Sequence, residues 1–462
     1  MALPGHDLSL KHRTTVFVTL YGGTYFFRVA FGAAALLLLM ILKNLNLELT
    51  LMMLGIILFA VSFSLIEGLI AGATGYLTDI LDARLVLVLS TLLGAIVMFL
   101  YFLGIYIGPL ATLLLIYLII IHGIHGIVSS LNVTPTLTII TRLSTYHSRA
   151  RHMGLFDTTL MLGRITGLAL AGYLFSVFSK GGENAILALR SFLILSSIMI
   201  LTGFIFWILL PKFPPERKEQ STNLLQSLLK HIGEGARVMF SKPRRDLGLT
   251  WLSLASLWGL AFTLGPLVLM LDFGIKEDIT GYLTAFLTFV IAIPAPFWGY
   301  VADKIGRRKT SIIGICGLIV TAFLGGFSYF VFHITTENPL FFVIVSPGVF
   351  FMSALAPSFL GRLGDTALPG ERGITMSGFQ FITSMGEING VITGGIAYLL
   401  ARFLLANTSL APIGGTIGVA LMGLSYFLMT ILFSMRLKTD EEVLEWYEKM
   451  IRKKETFLKN GT

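Results

Sequence analysis

An all-α integral membrane protein is the fold class this sequence predicts, with twelve transmembrane helices in two pseudo-symmetric six-helix bundles. Three observations predict it. Of 462 residues, 55% are hydrophobic and 13% charged, whereas a soluble domain carries roughly 25% charged residues. The apolar residues gather into long runs, each of at least about 20 residues, enough to cross roughly 30 Å of hydrocarbon at 1.5 Å per residue. Two segments also recur at nearly one offset. Gly75-Tyr76-Leu-Thr-Asp79 matches Gly299-Tyr300-Val-Ala-Asp303, and Gly163-Arg-Ile-Thr-Gly167 matches Gly386-Glu-Ile-Asn-Gly390, as duplicated six-helix units require.

In order, the runs fall near 16–42, 49–76, 84–106, 109–135, 153–178, 188–210, 247–271, 279–301, 310–333, 339–361, 373–402 and 411–435. The first carries Arg28 and is too long for a cleavable signal peptide. An even number of spans puts both termini on one side. Of 34 lysines and arginines, only Lys43, Lys180, Arg190, Lys276 and Arg402 fall in the opposite loops, and only Arg28 and Arg164 inside spans. That bias places both termini in the cytoplasm. It also accounts for the net charge of +9 without a nucleic-acid partner. The single cysteine, Cys316, lies in an apolar run, so no intrachain disulfide forms.

The organisation that follows is a bundle over 1–210, a linker over 211–246, a second bundle over 247–436 and a cytoplasmic tail over 437–462. The linker opens with a proline-rich segment that cannot be helical throughout. A Ser-Thr-Asn start then precedes Leu224, Leu225, Leu228, Leu229 and Ile232, at the spacing of an amphipathic helix lying on the membrane surface.

One loop organises the rest: Gly299-Tyr-Val-Ala-Asp303-Lys-Ile-Gly306-Arg307-Arg308-Lys309. Gly299 allows close helix approach. Asp303 suits a helix N-terminus or an arginine, and Gly306 permits a tight reversal. The first-half copy keeps Gly75 and Asp79 but has Asp82-Ala-Arg84 where the second has Gly306-Arg307-Arg308. The loop resembles the signature G-x-x-x-D-[RK]-x-G-R-[RK] between the second and third helices of each half in the major facilitator superfamily. The resemblance implies that superfamily's fold and alternating access by rocking of two bundles around a central site.

Ionisable groups inside spans mark functional sites. Arg28, Glu67, Arg164 and Glu387 each lie roughly 18–21 Å from the cytoplasmic end of their run, and His122 is at a similar depth from the other end. Asp157, roughly 9 Å in, reads equally as a gate contact or a site residue. Glu67, Glu387 and the pair His122 and His125 are the expected proton carriers. Arg28 and Arg164 are expected to bind substrate with Tyr25, Trp258 and Asn132. Alternatively, Arg28 and Glu67 form a structural ion pair. His122-Gly-Ile-His125-Gly126 aligns with the R-x-x-Q-G motif of proton-coupled exporters in the superfamily, with histidines replacing the arginine and glutamine. No metal site or cofactor is expected, and no catalytic constellation of an enzyme.

The function implied is a secondary active transporter of a small organic solute, proton-coupled, monomeric and in the plasma membrane, with H+, the solute and the bilayer as its partners. A broad-specificity drug/proton antiporter and a non-transporting sensor are the alternatives.

Overall fold

A computed structural model describes residues 10–45, 49–108, 110–179, 184–217, 223–242, 244–274, 277–332 and 339–460. Lys180, Lys276, Ser221 and Thr222 lie outside the described residues. The first half comprises α1 (Leu10–Lys43), α2 (Leu49–Ile80), α3 (Ala83–Leu103), α4 (Ala111–Leu143), α5 (Arg149–Phe178) and α6 (Ser191–Leu209). The connecting segment carries α7 (Leu224–Lys230) and α8 (Glu234–Phe240). In the second half, α9 (Arg245–Gly259) runs through a π turn into α10 (Gly265–Leu271). Then come α11 (Glu277–Ala292), α12 (Ala295–Ile305), α13 (Arg307–Phe332), α14 (Pro339–Met352) and α15 (Leu355–Asp365). Helices α16 (Arg372–Leu404) and α17 (Gly414–Ser434) complete the half, and α18 (Asp440–Asn460) follows.

Among the described residues, nine segments are long and apolar enough to cross a membrane: α1 to α6, α9–α10, α14–α15 and α17. The broken helix α11–α12, α13 and α16 occupy the other three predicted runs. Apolar side chains such as Ile96, Phe204, Phe323 and Leu432 are exposed on the outer faces, as contact with lipid tails requires.

Prolines explain the breaks. Gly265 N–H reaches back to Leu260 O, forming the π turn over 260–264 just before Pro266. Pro296 has no N–H, so the Ala292 carbonyl lacks its normal helical donor. Thr158 of α5 supplies one, its Oγ1 donating to Ala292 O at 2.7 Å. Thr158→Val should strand that carbonyl and cost about 1–3 kcal/mol. A thermal melt in detergent checks this, and an unchanged melting temperature refutes the bond's stabilising role.

The halves meet through antiparallel helix pairs, α2 with α16 and α5 with α11 and α12. Glycines let them close. A Cβ on Gly75 would lie 2.5 Å from Gly373 O, and one on Gly299 would lie 2.8 Å from Arg151 Cα.

The expected linker helix begins at Leu224 as α7 and is short: the chain turns at Gly233 (φ 76°), and a second helix, α8, follows. Asn223 Oδ1 caps α7 by accepting from Gln226 N. Leu224, Leu225, Leu229 and Ile232 are exposed, while Leu228 packs against the cluster of Tyr76, Ile80 and Ile374. Helix α8 wedges against α2 and α16 together, where Gly72 and Gly235 permit contact. The docking of α8 on both halves is set by tertiary packing and was absent from the local pattern.

Candidate functional site

A cavity of about 220 Å³ sits between the halves. Arg28, Glu67, His122, Asp157, Arg164, Trp258 and Glu387 all line it, so the structure gathers most of the ionisable groups singled out from sequence. The π turn contributes Phe262 and Thr263 to the opposite wall.

Among the described residues the two arginines make no ion pair, and neither guanidinium has a carboxylate oxygen within 4.0 Å. Arg28 sits 5.0 Å from the Phe31 ring centre, and Arg164 sits 4.6 Å from that of Phe262, across the interface between halves. The expected alternative of an Arg28–Glu67 ion pair is therefore corrected. Each guanidinium is held over an aromatic face, and its charge acts on the cavity. Glu67 and Glu387 stay within electrostatic reach of Arg28, and Glu387 within reach of Arg164.

The carboxylates are instead held by serines of the opposite half. Ser384 Oγ donates to Glu67 Oε2 at 2.7 Å, and Ser64 Oγ donates to Glu387 Oε2 at 3.4 Å. The sequence Ser-x-x-Glu occurs in both helices, at 64–67 and 384–387. Because α2 and α16 are antiparallel, each serine meets the other helix's glutamate. This reciprocal clasp was missed in sequence, although the repeated Ser-x-x-Glu spacing was a signal that could have revealed it.

The repeat also places Arg164 and Glu387 equivalently. A Cβ on Gly32 of α1 would lie 2.8 Å from Arg164 O, and one on Gly259 of α9 would lie 2.5 Å from Glu387 O. Opposite charges thus occupy matching positions in the two halves.

His122 and His125 share one hydroxyl, with Tyr101 Oη 2.7 Å from His122 Nδ1 and 3.4 Å from His125 Nδ1. His122 stacks on Phe59 with ring centres 3.6 Å apart. The glycine after each histidine serves packing: a Cβ on Gly123 would lie 2.8 Å from Ile66 Cδ1, and one on Gly126 would lie 3.0 Å from Glu67 N. Trp258 lines the cavity edge-on to buried Trp251, whose Nε1 donates to Thr383 Oγ1 at 2.8 Å.

Two expected substrate contacts lie elsewhere. Tyr25 Oη bonds Thr166 Oγ1 at 2.9 Å within the first half, and Asn132 Nδ2 donates to Ser90 Oγ at 3.4 Å. Neither lines the cavity. Their helices are cavity helices, but helix rotation turns these positions toward α5 and α3.

On the basic-loop side a lock closes the cavity. Asp79 accepts from Gly373 N at 2.8 Å and Ile374 N at 3.2 Å, at the start of α16. Asp303 accepts from Ala150 N at 3.0 Å and Arg151 N at 2.9 Å, at the start of α5. Each half thus caps a helix of the other, with negative charge at a positive helix end. Gly306, at φ 101°, makes the reversal. Arg307 pairs with Asp303 at 3.0 Å and Asp365 at 2.8 Å, and donates to Tyr146 O. Arg149 reaches Asp365 from the first half at 2.6 Å. Arg308 N donates to Asp440 at the start of α18. Arg84 binds Leu210 O at 3.4 Å within the first half and takes no part in the lock. Arg142 does what the degenerate first loop lacks, reaching Asp79 at 4.0 Å and Glu216 at 3.2 Å. Glu216 in turn pairs with Arg372 at 2.5 Å. Arg142, Arg149, Glu216 and Asp365 carried no sequence signal beyond a polar residue near a span end.

Comparison with known proteins agrees with this architecture. Residues 20–268 and 247–456 match the Major Facilitator Superfamily. A puromycin resistance protein of Streptomyces alboniger, pur8, is 28% identical over 173 residues. That match spans 35% of this chain and 32% of the relative, so the chain matches about a third of the relative's length. The structure of the human organic anion transporter MFSD10 (TETRAN) superposes with TM-score 0.67 at 17% identity, covering 90% of this chain and 99% of that one. The proton:xylose symporter XylE gives TM-score 0.64 at 17% identity, covering 94% and 100%. The E. coli fucose:proton symporter FucP gives 0.60 at 16%, covering 90% and 98%. Family, fold and multi-pass architecture agree: this chain is a multi-pass membrane protein that belongs to the Major Facilitator Superfamily.

Proposed function

We propose that this protein is a proton-coupled secondary transporter for a small organic solute that presents an anionic group. The observation that carries the reading is the pair of cavity arginines, Arg28 and Arg164, held over Phe31 and Phe262 without an ion-pair partner among the described residues. Guanidinium groups suit planar anions through forked hydrogen bonds. The two symporter neighbours and the organic anion transporter share the fold, and the last also shares the proposed solute charge.

In this reading Glu67 and Glu387 carry the proton. Each is clasped by a serine of the opposite half, so rocking of the bundles must open both clasps and change the surroundings of both carboxylates. Binding an anion adds negative charge to a low-dielectric cavity, and taking up a proton restores the balance, so solute and proton travel together. His122 and His125 tie α4 to α3 through Tyr101, and the His122 stack on Phe59 ties it to α2. Orientation with both termini cytoplasmic follows the loop charges. The driving force is the proton gradient alone, the protein works as a monomer, and its membrane is the plasma membrane.

Proteoliposomes holding a pH-sensitive dye test the proposal, with organic anions, amino acids, sugars and lipophilic cations added in turn. Anionic solutes should move protons with them, and Glu67→Gln or Glu387→Gln should abolish that movement while solute exchange continues. Wild-type pH dependence in both variants would falsify the carrier assignment. The likeness to a puromycin resistance protein favours a second reading, a drug/proton antiporter. Lipophilic cations driving protons the opposite way would establish it instead.

A further inference from the structure

At the basic-loop end of the cavity, two polar side chains have no role in the reading above. Asp157 of α5 and Gln380 of α16 are 7% and 5% exposed, and both line the cavity. Among the described residues, neither has a hydrogen-bond or ion-pair partner in the protein. They are equivalents in the repeat: each lies seven positions before a midplane charge, Asp157 before Arg164 and Gln380 before Glu387. On α5, Asp157, Leu160, Met161 and Arg164 all face the cavity, so Asp157 and Arg164 stand on one helix face about 10 Å apart by helix rise. The surrounding walls are aromatic, with Phe156, Trp251, Trp258 and Phe379.

We infer that Asp157, with Gln380, forms a subsite for the cationic group of a zwitterionic solute whose anionic group sits on Arg28 and Arg164. The chemistry matches at each point. A buried carboxylate needs a countercharge, and the described residues supply none here. The Gln380 amide oxygen offers a further acceptor to an ammonium, and the ring faces favour a cation. The separation along α5 demands a solute whose two charges are spaced by several bonds, which a bare α-amino acid does not provide. The inference rests on the anion-site reading for the far end of the solute. Charge balance is kept, since the cation neutralises Asp157 and leaves the anion to be compensated by the proton.

Calorimetric titration of purified protein with three probes of one chain length tests it: octanoate, octylammonium and ω-aminooctanoate. Wild type should bind ω-aminooctanoate about tenfold or more tightly than octanoate. Asp157→Asn should erase that preference while octanoate binding is retained or tightened, since a nearby negative charge is removed, and Asp157→Glu should retain part of the preference. A variant that merely misfolds would lose octanoate as well. Persistence of the preference in Asp157→Asn overturns the inference, as does a wild type that binds ω-aminooctanoate no better than octanoate. If octanoate binding is indifferent to Arg28→Gln and Arg164→Gln, the anion-site reading fails separately. Loss of octylammonium binding in Asp157→Asn would then support the cation subsite independently.

Discussion

Arg28→Gln and Arg164→Gln are each expected to lower transport of an anionic solute about 100-fold, on the order of 3 kcal/mol for removing one charge from a buried pairing. Their effect on stability should be small. Removing one member of a buried ion pair typically costs about 3–5 kcal/mol, because the other charge is stranded. Here neither guanidinium has a carboxylate oxygen within 4.0 Å among the described residues. The substitution therefore removes a cation that the fold does not directly pair, and the detergent melting temperature should stay near wild type. Arg164→Lys separates charge from shape. It keeps the cation but loses the fork and the flat face over Phe262, so transport should recover only in part. Uptake of labelled solute into proteoliposomes, read beside the melts, decides the matter. A collapse of stability with loss of transport would return both arginines to a structural role.

The second large effect concerns the lock. Asp79 and Asp303 each accept two backbone N–H groups from a helix of the opposite half. Asp79→Ala or Asp303→Ala should weaken closure on that side by roughly 2 kcal/mol, about a 30-fold shift in the closed-to-open ratio. Leu360, buried at the cavity wall in α15, reports on it. In a Cys316→Ser background, Leu360→Cys should react slowly with a membrane-impermeant thiol reagent applied from the basic-loop side. Either alanine variant should raise that rate about 30-fold. Arg84→Ala should leave it unchanged, since Arg84 binds Leu210 O within its own half. Equal labelling of all variants would show that the two caps do not hold the gate.

How much of the site was legible depended on the kind of residue. Glu67, Glu387, Arg28 and Arg164 stood out because a charge in a span is rare whatever its surroundings. Ser64, Ser384 and Gln380 did not, because uncharged polar residues are common in membrane helices and gain meaning only from what faces them. Asn132 and Tyr25 show the converse, being on the expected helices and turned away from the cavity. The linker shows it too, since the Leu224–Ile232 periodicity is genuine while the docking of α8 on α2 and α16 depends on residues far along the chain.

By itself the sequence determined the membrane class, the runs that become helices, the duplicated halves and the signature loop. These follow from hydropathy, run length and short-range spacing, which the bilayer imposes along one dimension and which are therefore written locally. Only the tertiary structure decided that serines clasp the glutamates, that the arginines lie over aromatic rings, and that Arg142 stands in for the degenerate first loop. Each depends on the rotation of a helix about its axis, and the serine clasps and the seating of Arg164 on Phe262 depend also on a partner across the interface. Packing between segments far apart in the chain sets these rotations, and a local pattern such as the repeated Ser-x-x-Glu acquires its meaning only from them.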